Sequence, residues 1–192
     1  MVNKMDYLQQ IKHASCELGL QESSYLQAFK LDNNDGIAEA IGFHSGMVNK
    51  VDYFLTKDIN VQLIELSDLE ESAKKYQQYI IDNLLNQENE QITEDAKNEI
   101  RKEAWRRLTD EHIKKWSGSI AVIERLYRKT NELIDTDPKY TLLIVCKNKT
   151  DVKILDELGK QLPRQLSGMM GNVKICNTET LHQFLLCIHR LS

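Results

Sequence analysis

The chain reads as α/β, a small mixed sheet flanked by helices with a long helical insertion, and three stretches carry that reading. Residues 51–56 and 61–67 are two short runs rich in β-branched and aromatic residues around the turn-formers Lys57, Asp58, Ile59 and Asn60, which predicts a β-hairpin. Residues 68–136 are almost continuously helix-forming, with no proline and only Gly118 as an interior breaker. The last third alternates strand and helix: the apolar run 140–147, an amphipathic stretch 152–162 and a short apolar run 173–176.

From the N-terminus, Tyr7, Leu8, Ile11, Ala14, Cys16 and Leu18 recur at roughly helical spacing before Gly19, which predicts a first helix. The cluster Asp32-Asn33-Asn34-Asp35-Gly36 is a turn. It is not a calcium loop, because its glycine comes one place early and no glutamate stands at the twelfth position. Residues 37–43 form a short helix or a strand, and Glu39 within them is a candidate third acid. Ser67 or Asp68 caps the following helix, and Glu70 and Glu71 sit in its first turn, where the helix dipole favours them. The polar run 86–91 separates a second helix starting near Thr93, and Gly118 marks a further break or bend. Two or three helices therefore form an inserted arm or bundle at 83–138, between core segments 1–82 and 139–192. A helix over 178–191, with Leu181, Phe184, Leu185 and Ile188 on one face, closes the chain. His182 and His189 on it take surface or packing roles.

At 192 residues the chain is long enough for one domain with a substantial core. Cys16, Cys146, Cys176 and Cys187 are far apart with no C-x-x-C pair, so buried reduced thiols are expected rather than zinc or disulfides. No stretch approaches 18 consecutive apolar residues and the polar N-terminus lacks the apolar core of a secretion signal, so a cytoplasmic location is expected. Phosphate-loop, dinucleotide, nucleophile-elbow and H-E-x-x-H motifs are all missing, which takes most of the weight from the nucleotide-driven and serine-hydrolase classes.

Side chains alternate along the second hairpin strand, so Val61, Leu63, Glu65 and Ser67 share one face and Gln62, Ile64 and Leu66 the other. Glu65 is thus an acid among apolar neighbours, and it needs a partner, a metal or solvent at the strand end; in the plainest case a surface Lys or Arg pairs with it and Asp52 caps a strand entry. Asp52, then twelve residues, then Glu65-Leu66-Ser67 at the end of an apolar strand resembles the core motif of the PD-(D/E)XK, or restriction-endonuclease-like, nuclease superfamily. The later order of helical region, strand, helix, short strand and terminal helix is similar as well. The resemblance implies that Asp52 and Glu65 are catalytic acids holding Mg2+ or Mn2+, with a lysine two residues after the second acid to position the attacking water. Ser67 stands at that lysine's position and Val51 at the motif's proline. Lys74 and Lys75 on the next helix are candidates for a migrated lysine, and Gln62 for a group orienting water.

The insertion is locally basic. Residues 100–129 hold nine Lys or Arg against four acids, a net of +5 in a chain of −4, so the remainder carries −9. Arg106, Arg107, Lys114 and Lys115 are the candidate nucleic-acid contacts, with Trp105, Trp116 and Tyr127, eleven residues apart, along one helix side. The alternative is that those aromatics are core and the basic residues a solvated face.

Three functions follow. The missing lysine favours a nucleic-acid-associated binding or regulatory protein that keeps the nuclease fold without its chemistry. A repaired site would make the chain an Mg2+- or Mn2+-dependent endonuclease. A helical arm packing against its twin would make it a homo-oligomeric interaction module, with no membrane partner in any of the three.

Overall fold

A computed structural model of the chain describes residues 2–13, 22–44, 46–85, 93–132, 137–166 and 172–186. Six strands form one mixed sheet in sequential order: β1 (Leu8–Lys12), β2 (Ser23–Lys30), β3 (Tyr53–Lys57), β4 (Asn60–Ser67), β5 (Lys139–Cys146) and β6 (Asn172–Asn177). The first four pair antiparallel, whereas β4–β5 and β5–β6 are parallel. Parallel neighbours need a crossover. Helices α2 (Leu69–Leu85) and α3 (Glu94–Thr130) supply the first crossover and α4 (Val152–Leu166) the second, while α1 (Ile37–Ala40) is a single turn between β2 and β3. The α/β architecture with helices inserted after the hairpin is therefore observed.

The hairpin forms where the turn residues stand. Lys57 pairs with Asn60, and Asp58 takes a left-handed φ of 53°, which a short polar side chain tolerates better than a branched one. Asp68 caps α2, its Oδ1 accepting from Glu71 N at 3.2 Å, and Lys147 binds its other oxygen at 2.5 Å. Thr93 caps α3 through Ala96 N, acids fill the first turn, Arg128 and Lys129 the last, and Asn131 in the left-handed region ends the helix.

Helix α3 is one uninterrupted 37-residue rod, about 55 Å long at 1.5 Å per residue. Gly118 does not break it. A Cβ there would lie 2.0 Å from the Asn49 carbonyl oxygen, so the glycine lets the helix pass against the 48–50 loop. Next to it, Ser119 Oγ accepts from Val51 N at 2.9 Å. Leu108, Trp116, Val122, Ile123, Leu126 and Tyr127 of α3 belong to the same core as Phe54, Val61 and Leu63 of the hairpin and Leu142 and Ile144 of β5. Trp116 and Tyr127 are buried and Trp105 packs against that core. Their eleven-residue spacing is thus a packing face rather than a base-stacking one.

Two sequence expectations fail at the ends of the chain. The first helix is instead a short 3-10 turn (Lys4–Tyr7) and β1, because the backbone of β1 is paired with β2 and Ile11 is buried on the far sheet face. The part of that expectation at 14–21 lies outside the described residues. At the other end, residues 178–186 form turns and a short 3-10 segment (Leu181–Gln183), and 187–192 lie outside the described residues. The cause is a side chain: Gln62 donates Nε2 to Phe184 O at 2.8 Å and accepts Leu186 N on Oε1 at 2.9 Å, binding groups that a helix would use itself. Gln62 thus closes the sheet face opposite Glu65 and does not orient water.

Replacing Gly118 with alanine is expected to cost about 2 kcal/mol or more, since backbone and not a flexible side chain must move. Urea unfolding of the two proteins measures this; equal midpoints would show that the 48–50 loop gives way freely.

Candidate functional site

The hairpin register sets the site. Tyr53 pairs with Ile64, and one step further the same register brings Asp52 opposite Glu65. Asp52 lies just before β3, where its carbonyl accepts from Leu31 N at 2.8 Å and its Oδ2 accepts from Leu66 N at 2.9 Å. Asp52, in the bend leading into β3, and Glu65 of β4 are therefore close enough for the Asp52 charge to act on Glu65.

A lysine stands with them, from an element that sequence spacing did not indicate. Lys115 of α3 donates Nζ to Glu65 Oε1 at 2.5 Å and lies 3.4 Å from Glu111 Oε1, one helical turn earlier. Glu111 is held by the Tyr76 hydroxyl of α2 at 2.7 Å. Lys30 of β2 approaches Asp52 Oδ1 at 3.8 Å and lies over the Tyr53 ring, 4.3 Å from its centroid. Lys74 is exposed and Lys75 pairs with Glu71 at the helix surface, so neither reaches the acids. Ser67 is buried on β4. Glu39 pairs with His44 at 2.6 Å. Nothing but the side-chain alternation of β4, which turns Glu65 toward the helices, could have pointed to Lys115.

Burial dominates the electrostatics. Glu65 is 3% exposed, whereas the side chains of Asp52 and Lys115 are 27% and 25% exposed. Desolvation, followed by the neighbouring Asp52 charge, pushes the Glu65 carboxyl up to about 8 against the pull of Lys115. For Lys115 burial works against the charge, but Glu65 and Glu111 outweigh it and keep the ammonium protonated. A proton on Glu65 would loosen Lys115, so the two titrate as a unit. Glu65 Oε2 is buried with no hydrogen-bond partner, an acceptor that costs free energy as it stands.

A cation at that oxygen would have Glu65 and Asp52 as its protein carboxylates. Among the described residues no group of three or more His, Cys, Asp or Glu is placed to hold a metal. A hard divalent ion needs less, since one or two carboxylates suffice when water and phosphate complete its shell.

Of the predicted nucleic-acid contacts, Lys115 is committed to Glu65. Arg106 and Arg107 are exposed and share Glu103, at 2.8 and 3.0 Å. Lys114 is exposed, with no ion-pair partner among the described residues. Arg125 and Lys129 both donate to the Ile41 carbonyl at the end of α1, at 3.3 and 3.1 Å, so part of the basic stretch is structural. Comparison of the chain with protein-family models, with curated proteins and with solved structures finds no match. No helix among the described residues is long and apolar enough to cross a membrane.

The raised Glu65 pKa makes a signed prediction. The folded chain keeps this proton to about pH 8 and the unfolded chain loses it near the ordinary 4.5, so stability falls as pH rises through that window, by up to a few kcal/mol. Urea unfolding of the parent and Glu65→Gln at pH 5.5, 7 and 8.5 should show the variant gaining relative to the parent as pH rises. Burial holds His13 and His112 below their ordinary value in both proteins, so the difference between the two isolates Glu65. A constant difference across the range would show Glu65 ionised throughout.

Proposed function

We propose that the chain acts on nucleic acid as a divalent-metal-dependent nuclease of the PD-(D/E)XK-like type, with Lys115 supplying the positive charge that Ser67 cannot. The observation that carries this is the Lys115 ammonium on Glu65 with Asp52 directly opposite. A hairpin bearing the acids, followed by helices, a parallel strand, a helix and a last parallel strand, supports the same reading.

Each group has a part. Asp52 and Glu65 would hold the cation, which when bound polarises a phosphodiester and lowers the pKa of water. Lys115, a quarter exposed, presents its ammonium beside those acids, where it offsets charge on a phosphate and orients an attacking oxygen. Glu111 and Tyr76 hold the lysine from behind. Binding the cation would displace the proton that burial favours on Glu65.

A second reading rests on that same burial. Each acid already has a lysine, Lys115 on Glu65 and Lys30 near Asp52, so the cluster also suits a nuclease-like fold retained for binding or regulation. The exposed cations Arg106, Arg107 and Lys114 then carry the function.

The discriminating experiment is cleavage of single- and double-stranded DNA and RNA with Mg2+ or Mn2+. Glu65→Gln should abolish it, and Lys115→Met should lower kcat about 100-fold or more while substrate binding survives. No cleavage by the parent on any substrate would leave the binding reading.

That binding reading has its own signature. Arg106, Arg107 and Lys114 changed together to glutamine should weaken nucleic-acid binding and flatten its log–log salt dependence, by up to about one unit per lost phosphate contact. Lys115 is left intact because it is paired with Glu65. Salt-insensitive binding in the parent would turn the exposed basic face into a protein-docking surface or an ordinary solvated one.

A further inference from the structure

Directly outside Lys115 lies a cavity of about 500 Å³, walled by α3, by Tyr76 of α2, by the 46–50 loop and by Asp32. Its volume is in the range of small-molecule sites and exceeds what a water network alone would need. Four cationic side chains line it: Lys50, Arg107, Lys114 and Lys115. Lys50 is a built feature rather than a surface lysine, for its side chain is 4% exposed and its ammonium is anchored by Asp32 at 2.9 Å.

Two of the three acids in the lining are already spent. Asp32 takes Lys50, and Glu111 takes both the Tyr76 hydroxyl and Lys115. Asp110 stands exposed at the rim. Donors are left over on the other side: Lys114 has no ion-pair partner among the described residues, and Arg107 spends its Nε on Glu103. The two terminal nitrogens of Arg107 form a planar fork that suits a phosphate. Excess donors, a buried lysine in the wall and room for one nucleotide define the ligand class.

We propose that this cavity is a binding site for a phosphate-bearing nucleotide, either a free mononucleotide or the phosphorylated end of a strand, held by Arg107 and Lys114 at the mouth with Lys50 in the wall. It deepens the nuclease reading by placing a nucleotide phosphate next to Lys115, and so rests on that reading for its catalytic meaning. Binding itself needs no metal and no cleavage.

The test is fluorescence anisotropy in EDTA with a labelled oligothymidylate, with and without a 5′-phosphate, and with dTMP and inorganic phosphate as competitors. The phosphorylated strand should bind about tenfold or more tightly than its unphosphorylated twin, as expected for two charge-assisted contacts. Arg107→Gln with Lys114→Gln should erase that preference. Lys102→Gln with Arg106→Gln, an equal charge change outside the cavity on the same helix, should weaken both strands alike and preserve it. Competition by dTMP identifies a free mononucleotide as ligand, and competition only by phosphorylated strand identifies the strand end. Equal affinity for the two strands, or a preference that survives Arg107→Gln with Lys114→Gln, overturns the proposal. Because the assay is run in EDTA and reads binding alone, absent cleavage would remove the nuclease reading without touching this preference, and the two failures are separable.

Discussion

The Glu65–Lys115 ion pair is the constraint on which the arrangement of the molecule depends. It ties the centre of the sheet to the middle of the longest helix, fifty residues away in sequence. A carboxyl buried to that degree needs a close polar partner whether it carries its charge or its proton, so α3 can sit in few registers against β4. One turn on, the Gly118 backbone passes the Asn49 carbonyl and Ser119 takes the Val51 amide, which fixes the segment leading into Asp52. One turn back, Glu111 recruits Tyr76 and so α2. Residues 111–119, about two and a half turns of one helix, thereby position both acids of the candidate site.

How much of this was legible follows from the range of the forces involved. The hairpin could be read because its signals are local: β-branched runs, an Asp-containing turn and strict alternation. Alternation also placed Glu65 on the helix-facing side, with Val61 and Leu63, and that face is where Lys115 meets it. Lys115 itself could not be read, because its relation to Glu65 is created by the packing of α3 across the sheet. In sequence it looked like one more cation in a basic run.

The errors have the same origin. Helical spacing at residues 7–18 overlooked that β2 offers the N-terminal backbone a full set of partners, and pairing overrides a weak local preference. Gln62 looked available for chemistry because a polar residue in an apolar strand invites that reading. It is instead a buried amide satisfied at both ends by the C-terminal segment, which fixes that segment's backbone in turns. The basic stretch was a true compositional signal, yet Arg125, Lys129 and Lys115 are used within the fold, leaving a smaller set facing solvent.

The charge balance at the acids then distinguishes the two functional readings physically. Asp52 and Glu65 face Lys30 and Lys115, a neutral set when all four are ionised. An added dication can be accommodated only if a lysine yields. Lys30 is poorly placed to do so, being buried and stacked on Tyr53. Lys115 has an alternative in Glu111 at 3.4 Å, on its own helix and within reach of a small rotation about its flexible stem. The Glu65 carboxyl thus has three competing claimants: a proton, favoured by burial; the Lys115 ammonium; and any cation attracted to its orphaned oxygen. Glu111, which docks Tyr76 of α2, also offers the Lys115 ammonium a second carboxylate to hold if a cation were to take Glu65.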